Sequence, residues 1–313
     1  MFYNILKRHF NIEISDTPDF VICSNRGKPF EYMKYDCIRI IFMGENLSPD
    51  FTVFDYCIGF DHLSFSDRYF RLPFAFYNDT GSPWIPETIS DETAIKILES
   101  KQYFCNFIYG HPSGSGMREK LFERLGNYKN VVAPGRYLNN TNTNGCSWKE
   151  KYDYLDKSKF TIASDSIHYP GFVTEKIIQP FQHHSIPIYF GSTTIDQDLN
   201  PESFIWCKDE DDLERTIEQV IYLDSNDEAY LKMLKACPLQ SSQKLVTRYH
   251  ELETFLVHIF EQPLEKAGRR IKMFCAEHHE NCLKEYMKYE ENPKIIDRIS
   301  KIKKAIKRVF ITK

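Results

Sequence analysis

The chain has 313 residues, of which 42% are hydrophobic and 27% charged, and its net charge is −4 at pH 7. This composition is typical of a folded, water-soluble protein of about two domains. It excludes a disordered chain and a globally basic nucleic-acid-binding protein. No stretch approaches about 18 consecutive apolar residues, so the sequence predicts no membrane-spanning helix.

The first hundred residues predict short strands between two helices. Apolar residues at helical spacing predict helices over 3–10 and 90–100. Strands are predicted over 12–15, 19–24, 37–44, 51–60 and 68–76. Residues 37–44 are rich in β-branched side chains and apolar on both faces, which is typical of a buried strand in a parallel sheet.

From residue 101 onward, strands and helices alternate until the chain becomes entirely helical after residue 226. Strands are predicted over 102–110, 131–134, 159–164, 185–192 and 203–209, and helices over 117–126, 149–158, 174–184 and 212–224. This alternation indicates βαβ units around a parallel sheet. The fold class is therefore α/β, with two Rossmann-like domains that meet near residue 100 and face each other across a cleft. Ligands bind such sheets at the carboxyl ends of strands, so the loops that follow strands are the candidate sites.

The loop over residues 164–176 contains the most candidate functional side chains. Pro170-Gly171 predicts a turn, and Thr174 predicts the N-cap of the next helix. Lys176 falls in the first turn of that helix, where the helix dipole disfavours a cation but a bound anion would justify one. The site is therefore either a phosphate site or an ordinary exposed Glu–Lys pair.

Residues 158–192 resemble the donor-binding signature of the alpha-1,3-fucosyltransferases of glycosyltransferase family 10. The shared features are a Lys-Phe strand, a Tyr- and Gly-containing loop, Val-Thr-Glu-Lys at the helix start, and an Ile-Pro-Ile-Tyr strand. Residues 42–73 and 255–270 form two further blocks that resemble the same family in the same order. The resemblance therefore extends over most of the chain.

This resemblance implies a GT-B fold and inverting transfer of L-fucose from GDP-fucose, with no metal required. The implied acceptor is a hydroxyl of an N-acetyllactosamine-type glycan. By the same analogy, residues 1–99 form the acceptor domain, 100–262 the donor domain, and 263–313 a C-terminal helical segment with a basic tail.

The resemblance also assigns roles to individual residues. Glu45 follows a buried strand, where an inverting transferase needs a general base, although a surface turn carboxylate is the alternative. Arg136 and Lys176 match the cations that the family places on the donor phosphates, and Glu175 matches its contact near the donor sugar and ribose. Without the resemblance, the sequence around Arg136 predicts only a solvent-exposed arginine in a loop.

Three other donor-loop residues complete the predicted site: Asp165, Ser166 and Tyr169. Asp165-Ser166 stands where the family has Glu-Asn, so the carboxylate is one methylene shorter and serine replaces asparagine. This difference leaves open a transferase for another GDP-linked deoxy sugar. A catalytically silent protein that binds a glycan or nucleotide is the third possibility.

Asp196-Gln197-Asp198 has the spacing of a motif that binds a metal ion and a diphosphate. In the leading hypothesis, however, Arg136 and Lys176 already neutralise the phosphates, so metal binding is the weaker interpretation.

The cysteines and the C-terminal tail suggest where the protein acts. Nine scattered cysteines without a CxxC pair predict free thiols in a reducing compartment, and hence a cytoplasmic protein. Residues 294–313 carry eight Lys or Arg and one Asp, with isoleucines at helical spacing, which predicts a basic amphipathic helix. It either lies on the cytoplasmic face of a membrane, which we favour, or is a solvated helix docked on the body of the protein or on another subunit. The full chain should then float with anionic liposomes whereas a version ending at Pro293 should not; equal flotation would contradict this prediction.

Overall fold

The computed structural model describes residues 1–26 and 30–290, together with 292, 298 and 301. The first part of the chain contains helix α1 (Phe2–Leu6), strands β1 (Phe20–Ser24), β2 (Ile38–Phe42), β3 (Tyr56–Gly59) and β4 (Tyr69–Arg71), and helix α2 (Asp91–Ser100). The four strands form one sheet in the order β1-β2-β3-β4, and the first three are parallel. Strand β2 is buried along its whole length, as its apolar composition predicts.

The second part of the chain alternates strands and helices as predicted. Its elements are β5 (Tyr103–Asn106), α3 (Met117–Gly126), β6 (Val131–Val132), α4 (Trp148–Lys157), β7 (Ser158–Ser164), α5 (Glu175–Gln182), β8 (Ile186–Phe190) and β9 (Ile205–Trp206). Five further helices follow: α6 (Leu213–Ser225), α7 (Asp227–Lys235), α8 (Ser242–Glu261), α9 (Leu264–Ala267) and α10 (Phe274–Glu290). Together the two parts confirm an α/β fold built on two parallel sheets.

The second sheet has the strand order β6-β5-β7-β8-β9, and all its pairs are parallel. Chain connections leave β5 toward β6 on one side and, after β6, toward β7 on the other. The order therefore reverses between β5 and β7, which is the topological switch point where open α/β sheets bind their ligands. Phe107, Phe160, Ile188 and Leu121 belong to the buried core of this sheet and its helices.

Two compact units emerge from the contacts within the chain. One contains Met1–Phe10, Phe60–Leu63 and Arg71–Thr254, and therefore the five-stranded sheet. The other contains Asn11–Gly59, Ser64–Phe70 and the described residues from Phe255 onward. The predicted domain boundaries at residues 99 and 262 stay predictions.

The unit that contains β1, β2 and β3 is closed by charged side chains from the C-terminal helices. Arg39 on β2 is only 1% exposed and forms an ion pair with Glu280 of α10 at 3.1 Å. Arg270, which precedes α10, pairs with Asp55 at 2.8 Å. Because buried charges are costly unless they are paired, these contacts hold residues 264–290 against the sheet.

The strand predicted over residues 12–15 is wrong. No strand forms there, and Ile14 is 83% exposed. Four alternating residues offer only two apolar side chains, and no neighbouring strand supplies a buried face for them.

The tail predicted over 294–313 lies outside the described residues except for 298 and 301, so its membrane contact stays a prediction. Among the described residues, no helix combines the length and hydropathy needed to cross a bilayer.

Lys101 ties two helix ends to the start of β5 and gives a pH-dependent prediction. Its ammonium group donates to the carbonyl oxygens of Asp156, in the last turn of α4, and His183, just after α5. Burial lowers the pKa of Lys101 to about 8, because the charged form loses hydration, while nearby Asp156 opposes this shift.

The unfolded chain holds this proton up to pH about 10.5, whereas the folded chain releases it from about 8. The free energy of unfolding of the wild type should therefore rise relative to Lys101→Met as pH increases through this window, by at most about 1.4 kcal/mol per pH unit. Urea unfolding of both proteins at several pH values measures this difference. A difference that stays constant from pH 7.5 to 10.5 would rule out the depressed pKa.

Candidate functional site

The candidate site lies at the carboxyl ends of β5, β6 and β7, where the strand order reverses. Two cavities open there, of about 230 Å³ and about 210 Å³. Both are lined by Ile108, Tyr109, Gly110 and Lys151, so they share one wall. Arg136 lines the first cavity, and Glu175 and Lys176 line the second. The structure therefore brings three of the predicted donor residues around one region.

Arg136 is presented by a loop that has little freedom. Gly135 leaves no space for a side chain, because a Cβ there would lie 2.4 Å from the carbonyl oxygen of Tyr109. The Tyr137 amide donates to that same carbonyl at 2.9 Å, and the Asn139 side chain donates to the Gly135 carbonyl at 2.7 Å. The Arg136 guanidinium is exposed, and among the described residues it has no hydrogen-bond or ion-pair partner. A rigid loop thus offers an unneutralised cation to the cavity.

Lys176 sits at the N-terminus of α5, as predicted from the Thr174 cap. The Thr174 hydroxyl accepts a hydrogen bond from the Lys176 amide, which confirms the cap. The Lys176 ammonium donates to the same hydroxyl at 3.2 Å and lies 3.7 Å from a carboxylate oxygen of Asp165. It also lies 3.8 Å from Glu175 Oε1. These contacts fix the position of the ammonium while 27% of the side chain stays exposed.

Asp165 is a buried carboxylate that contacts Thr174 and Lys176. It is fully buried and accepts hydrogen bonds from the hydroxyls of Thr174 at 2.5 Å and Tyr189 at 2.9 Å. Burial raises the pKa of Asp165, an effect opposed by the Lys176 ammonium and the two hydroxyl donors. Gly191 is required beside it, since a Cβ there would lie 2.5 Å from the Tyr189 hydroxyl. Asp165 therefore helps to fix Lys176, both through Thr174 and by its own contact with the ammonium group, and its predicted role in donor binding stays a prediction.

The remaining predicted donor residues lie elsewhere in the loop after β7. Ser166 is exposed, and its carbonyl oxygen is 3.5 Å from a Cβ built at Gly114. The Tyr169 hydroxyl donates to Asp61 at 3.0 Å, and its ring packs edge-on against Phe60. Neither Ser166 nor Tyr169 lines the two cavities. Their roles in donor binding stay predictions.

Sequence reasoning missed Tyr109 and Arg118, which tie the loop after β5 to the end of β7. The Tyr109 hydroxyl donates to the Ile162 carbonyl at 2.8 Å and accepts from the Ser164 amide at 2.8 Å. Burial raises the pKa of Tyr109 to about 12, so it keeps its proton at neutral pH. The buried Arg118 guanidinium lies 3.7 Å from the Tyr109 ring centroid and donates to the Ser164 carbonyl. Their importance depends on the pairing of β5 with β7, which no local pattern reveals.

Glu45 belongs to the other unit and lies three residues after the end of β2. The side-chain oxygen of Asn25, just after β1, accepts from the amides of Gly44 and Glu45 at 3.1 and 3.3 Å. Arg26 forms an ion pair with the Glu45 carboxylate, and the two side chains are 69% and 43% exposed to solvent. The carboxylate thus stands at the carboxyl end of its strand, with a backbone fixed by Asn25.

Asp198, the second acidic residue of the Asp196-Gln197-Asp198 motif, is held in ion pairs with two arginines. Asp198 receives two hydrogen bonds from Arg71, both at 2.7 Å, and a third from Arg248 at 3.2 Å. A carboxylate neutralised by two guanidinium groups is a poor ligand for a cation. Within residues 1–26 and 30–290, no three His, Cys, Asp or Glu side chains are grouped as metal ligands.

Comparison with protein families gives two matches that together cover most of the chain. The model described as "Alpha-(1,3)-fucosyltransferase FucT N-terminal domain" matches residues 1–77. The model described as "Glycosyltransferase family 10 (fucosyltransferase) C-term" matches residues 98–260.

Individual relatives agree with these matches. The alpha-(1,3)-fucosyltransferase FucT of Helicobacter pylori is 31% identical over 76% of this chain and 56% of its own length. A putative fucosyltransferase of Acanthamoeba polyphaga mimivirus is 28% identical over 64% of this chain and 33% of its own length. The chain therefore spans about half of the first relative and about a third of the second.

Solved structures share the fold. A crystal structure of an alpha1,3-fucosyltransferase superposes with a TM-score of 0.71 at 27% identity, covering 87% of each chain. A second, determined with GDP, gives a TM-score of 0.68 at 26% identity over 83% of this chain and 84% of its own. A third, determined with GDP-fucose, gives a TM-score of 0.64 at 24% identity over 84% of this chain and 98% of its own.

Proposed function

The chain belongs to glycosyltransferase family 10, and we propose that it transfers L-fucose from GDP-fucose to a hydroxyl group of a glycan. One observation carries the proposal: Arg136, which has no partner among the residues that the structure describes, and the positioned Lys176 line adjoining cavities at the switch point of the five-stranded sheet. A nucleoside diphosphate is an anion that needs such cations, and its departure as GDP adds charge that they would stabilise. Crystal structures of similar proteins were determined with GDP and with GDP-fucose.

The proposed reaction is a single displacement with inversion. The acceptor oxygen forms a bond to the anomeric carbon of fucose as the bond to the β-phosphate oxygen breaks. GDP leaves with the bonding electrons, stabilised by Arg136 and Lys176, and Glu45 takes the proton of the acceptor hydroxyl. The acceptor that we propose is an N-acetyllactosamine-type glycan, including lipid-linked or surface-glycan precursors of the Lewis-antigen or O-antigen kind.

The sequence around Asp165 favours a second candidate, a transferase for another GDP-linked deoxy sugar. Serine stands at position 166, where the family has asparagine, and its side chain is exposed. A serine hydroxyl is shorter than an asparagine amide and offers one donor instead of two. A different pattern of sugar hydroxyls could therefore be accepted at this position.

A donor and acceptor panel tests both candidates. Release of GDP is measured with GDP-fucose, other GDP-deoxy sugars and GDP-mannose, each with N-acetyllactosamine, lactose or no acceptor. Acceptor-dependent turnover confined to GDP-fucose supports the first candidate, and a preference for another GDP-deoxy sugar supports the second. Tight GDP binding without turnover of any donor would refute both and indicate a silent nucleotide-binding protein.

A further inference from the structure

Lys151 is a half-buried lysine in the second turn of α4 that lines both cavities of the candidate site. We propose that its ammonium group is a third cation for the donor diphosphate, placed between Arg136 and Lys176. This inference rests on the proposed function only in that the ligand is a nucleoside diphosphate. It does not depend on which base or sugar the donor carries.

The position of Lys151 follows from the packing of α4. Ser147 caps this helix through a reciprocal pair of hydrogen bonds with Glu150, which fixes the register of the first turn. The next turn directs Lys151 to the wall that the two cavities share, where it is grouped with Tyr109 and Gly110. Lys149, two residues earlier on the same helix, is exposed and lines neither cavity.

In the part of the chain that the structure describes, the ammonium group of Lys151 contacts no carboxylate. It donates to the neutral Oε1 of Gln179 at 2.5 Å, and it lies 5.0 Å from the Trp148 ring centroid. Within the described residues it forms no ion pair within 4 Å, whereas Lys176 lies near both Asp165 and Glu175. Lys151 is thus a cation surrounded mainly by neutral groups.

Such a placement is unfavourable without a ligand. Burial lowers the pKa of Lys151, and Lys176 lowers it further, while Glu175 opposes the shift. A partly desolvated ammonium that sits beside a second cation is destabilised in the free protein. A bound diphosphate would remove this penalty, because it brings negative charge to the wall where Lys151 lies near Lys176 and Arg136.

A purely structural role is the competing explanation. Lys151 would then serve only to connect α4 to α5 through Gln179. In that case its loss would destabilise the fold and weaken every ligand equally. A diphosphate contact predicts a different pattern, in which weaker binding is confined to ligands that carry the diphosphate.

The test compares Lys151→Met with Lys149→Met and Lys151→Arg. Calorimetric titrations use GDP, UDP, ADP and guanosine, and melting temperatures report on the fold. In Lys151→Met, affinity for the diphosphates that the wild type binds should fall roughly 10- to 100-fold, as expected for the loss of a charged hydrogen bond. Guanosine affinity should stay within about 2-fold, Lys149→Met should match the wild type, and Lys151→Arg should retain most of the affinity. The dependence of GDP affinity on salt should also weaken in Lys151→Met.

The possible failures can be told apart. Unchanged GDP affinity in Lys151→Met, or an equal loss for GDP and guanosine, would overturn the inference while leaving the proposed function intact. Binding of another nucleoside diphosphate in place of GDP would overturn the proposed donor. The role of Lys151 would then be decided by whether that ligand is lost in Lys151→Met. A wild-type protein that binds none of the diphosphates would overturn both.

Discussion

Replacing Glu45 by glutamine is expected to lower kcat by about 10²- to 10⁴-fold while leaving GDP affinity unchanged. The amide has nearly the same shape as the carboxylate but cannot accept a proton from the acceptor hydroxyl. Glu45 lies in the loop after β2, and its backbone is held by Asn25, so the substitution should not move the loop. Steady-state kinetics with GDP-fucose and an acceptor, combined with calorimetry for GDP, measure the two quantities separately.

We expect the Glu45→Gln substitution to leave the fold intact, so a lower kcat would not result from unfolding. The substitution also removes the ion pair with Arg26, but both partners are exposed, and exposed pairs contribute little to stability. Glu13→Gln is the matched control, because Glu13 is an exposed carboxylate of the same unit. Near-full activity of Glu45→Gln would show that Glu45 is not the general base.

Replacing Lys176 by methionine is expected to weaken GDP binding roughly 10- to 100-fold. Methionine keeps the apolar stem but removes the ammonium, and with it a charge-assisted contact to phosphate. The Lys176 ammonium is fixed beside Thr174 and Asp165, so little side-chain entropy is lost when it binds an anion. Calorimetric titration of GDP at low and high salt measures the effect, which should be smaller at high salt.

Two further variants are compared with Lys176→Met: a control lysine outside the site and the second predicted phosphate cation. Lys157→Met removes an exposed lysine of the same unit and should leave GDP affinity unchanged. Arg136→Met removes a cation with no partner in the described part of the chain, so it should weaken GDP binding without lowering the melting temperature. If Lys176→Met binds GDP as tightly as the wild type, the phosphate assignment fails.

Local features of the fold follow from the sequence with little error. The helix predicted over 117–126 matches α3 residue for residue, because the spacing of its buried Met117, Leu121 and Leu125 is set within the helix itself. The cap at Thr174 is equally local, since one side chain bonds the backbone two residues ahead. The order of the signature blocks allowed the family to be identified before any contact was known.

Features that need a partner could not be predicted in this way. The four-residue alternation at 12–15 resembles a strand, but a strand exists only when another strand accepts its hydrogen bonds. The positions of Tyr109 and Lys151 beside Lys176 depend on the pairing of β5 with β7, where Cys105 is opposite Phe160. The pairing of Arg26 with Glu45 depends likewise on β1 lying next to β2.

The sequence by itself determined the secondary structure of the βα units, the family and the identity of the candidate base and phosphate cations. The secondary structure depends on side-chain type and spacing within single segments, whereas the family and the roles of Arg136 and Lys176 are implied by the resemblance of three ordered blocks to glycosyltransferase family 10. Only the tertiary structure decided which cations line the same cavity wall and which carboxylates are already neutralised. It also showed that Lys151 contacts no carboxylate among the described residues. Electrostatic pairing acts over a few ångströms between residues that are tens of positions apart in the chain. Those distances are set by the order of the strands and by the packing of the helices against them.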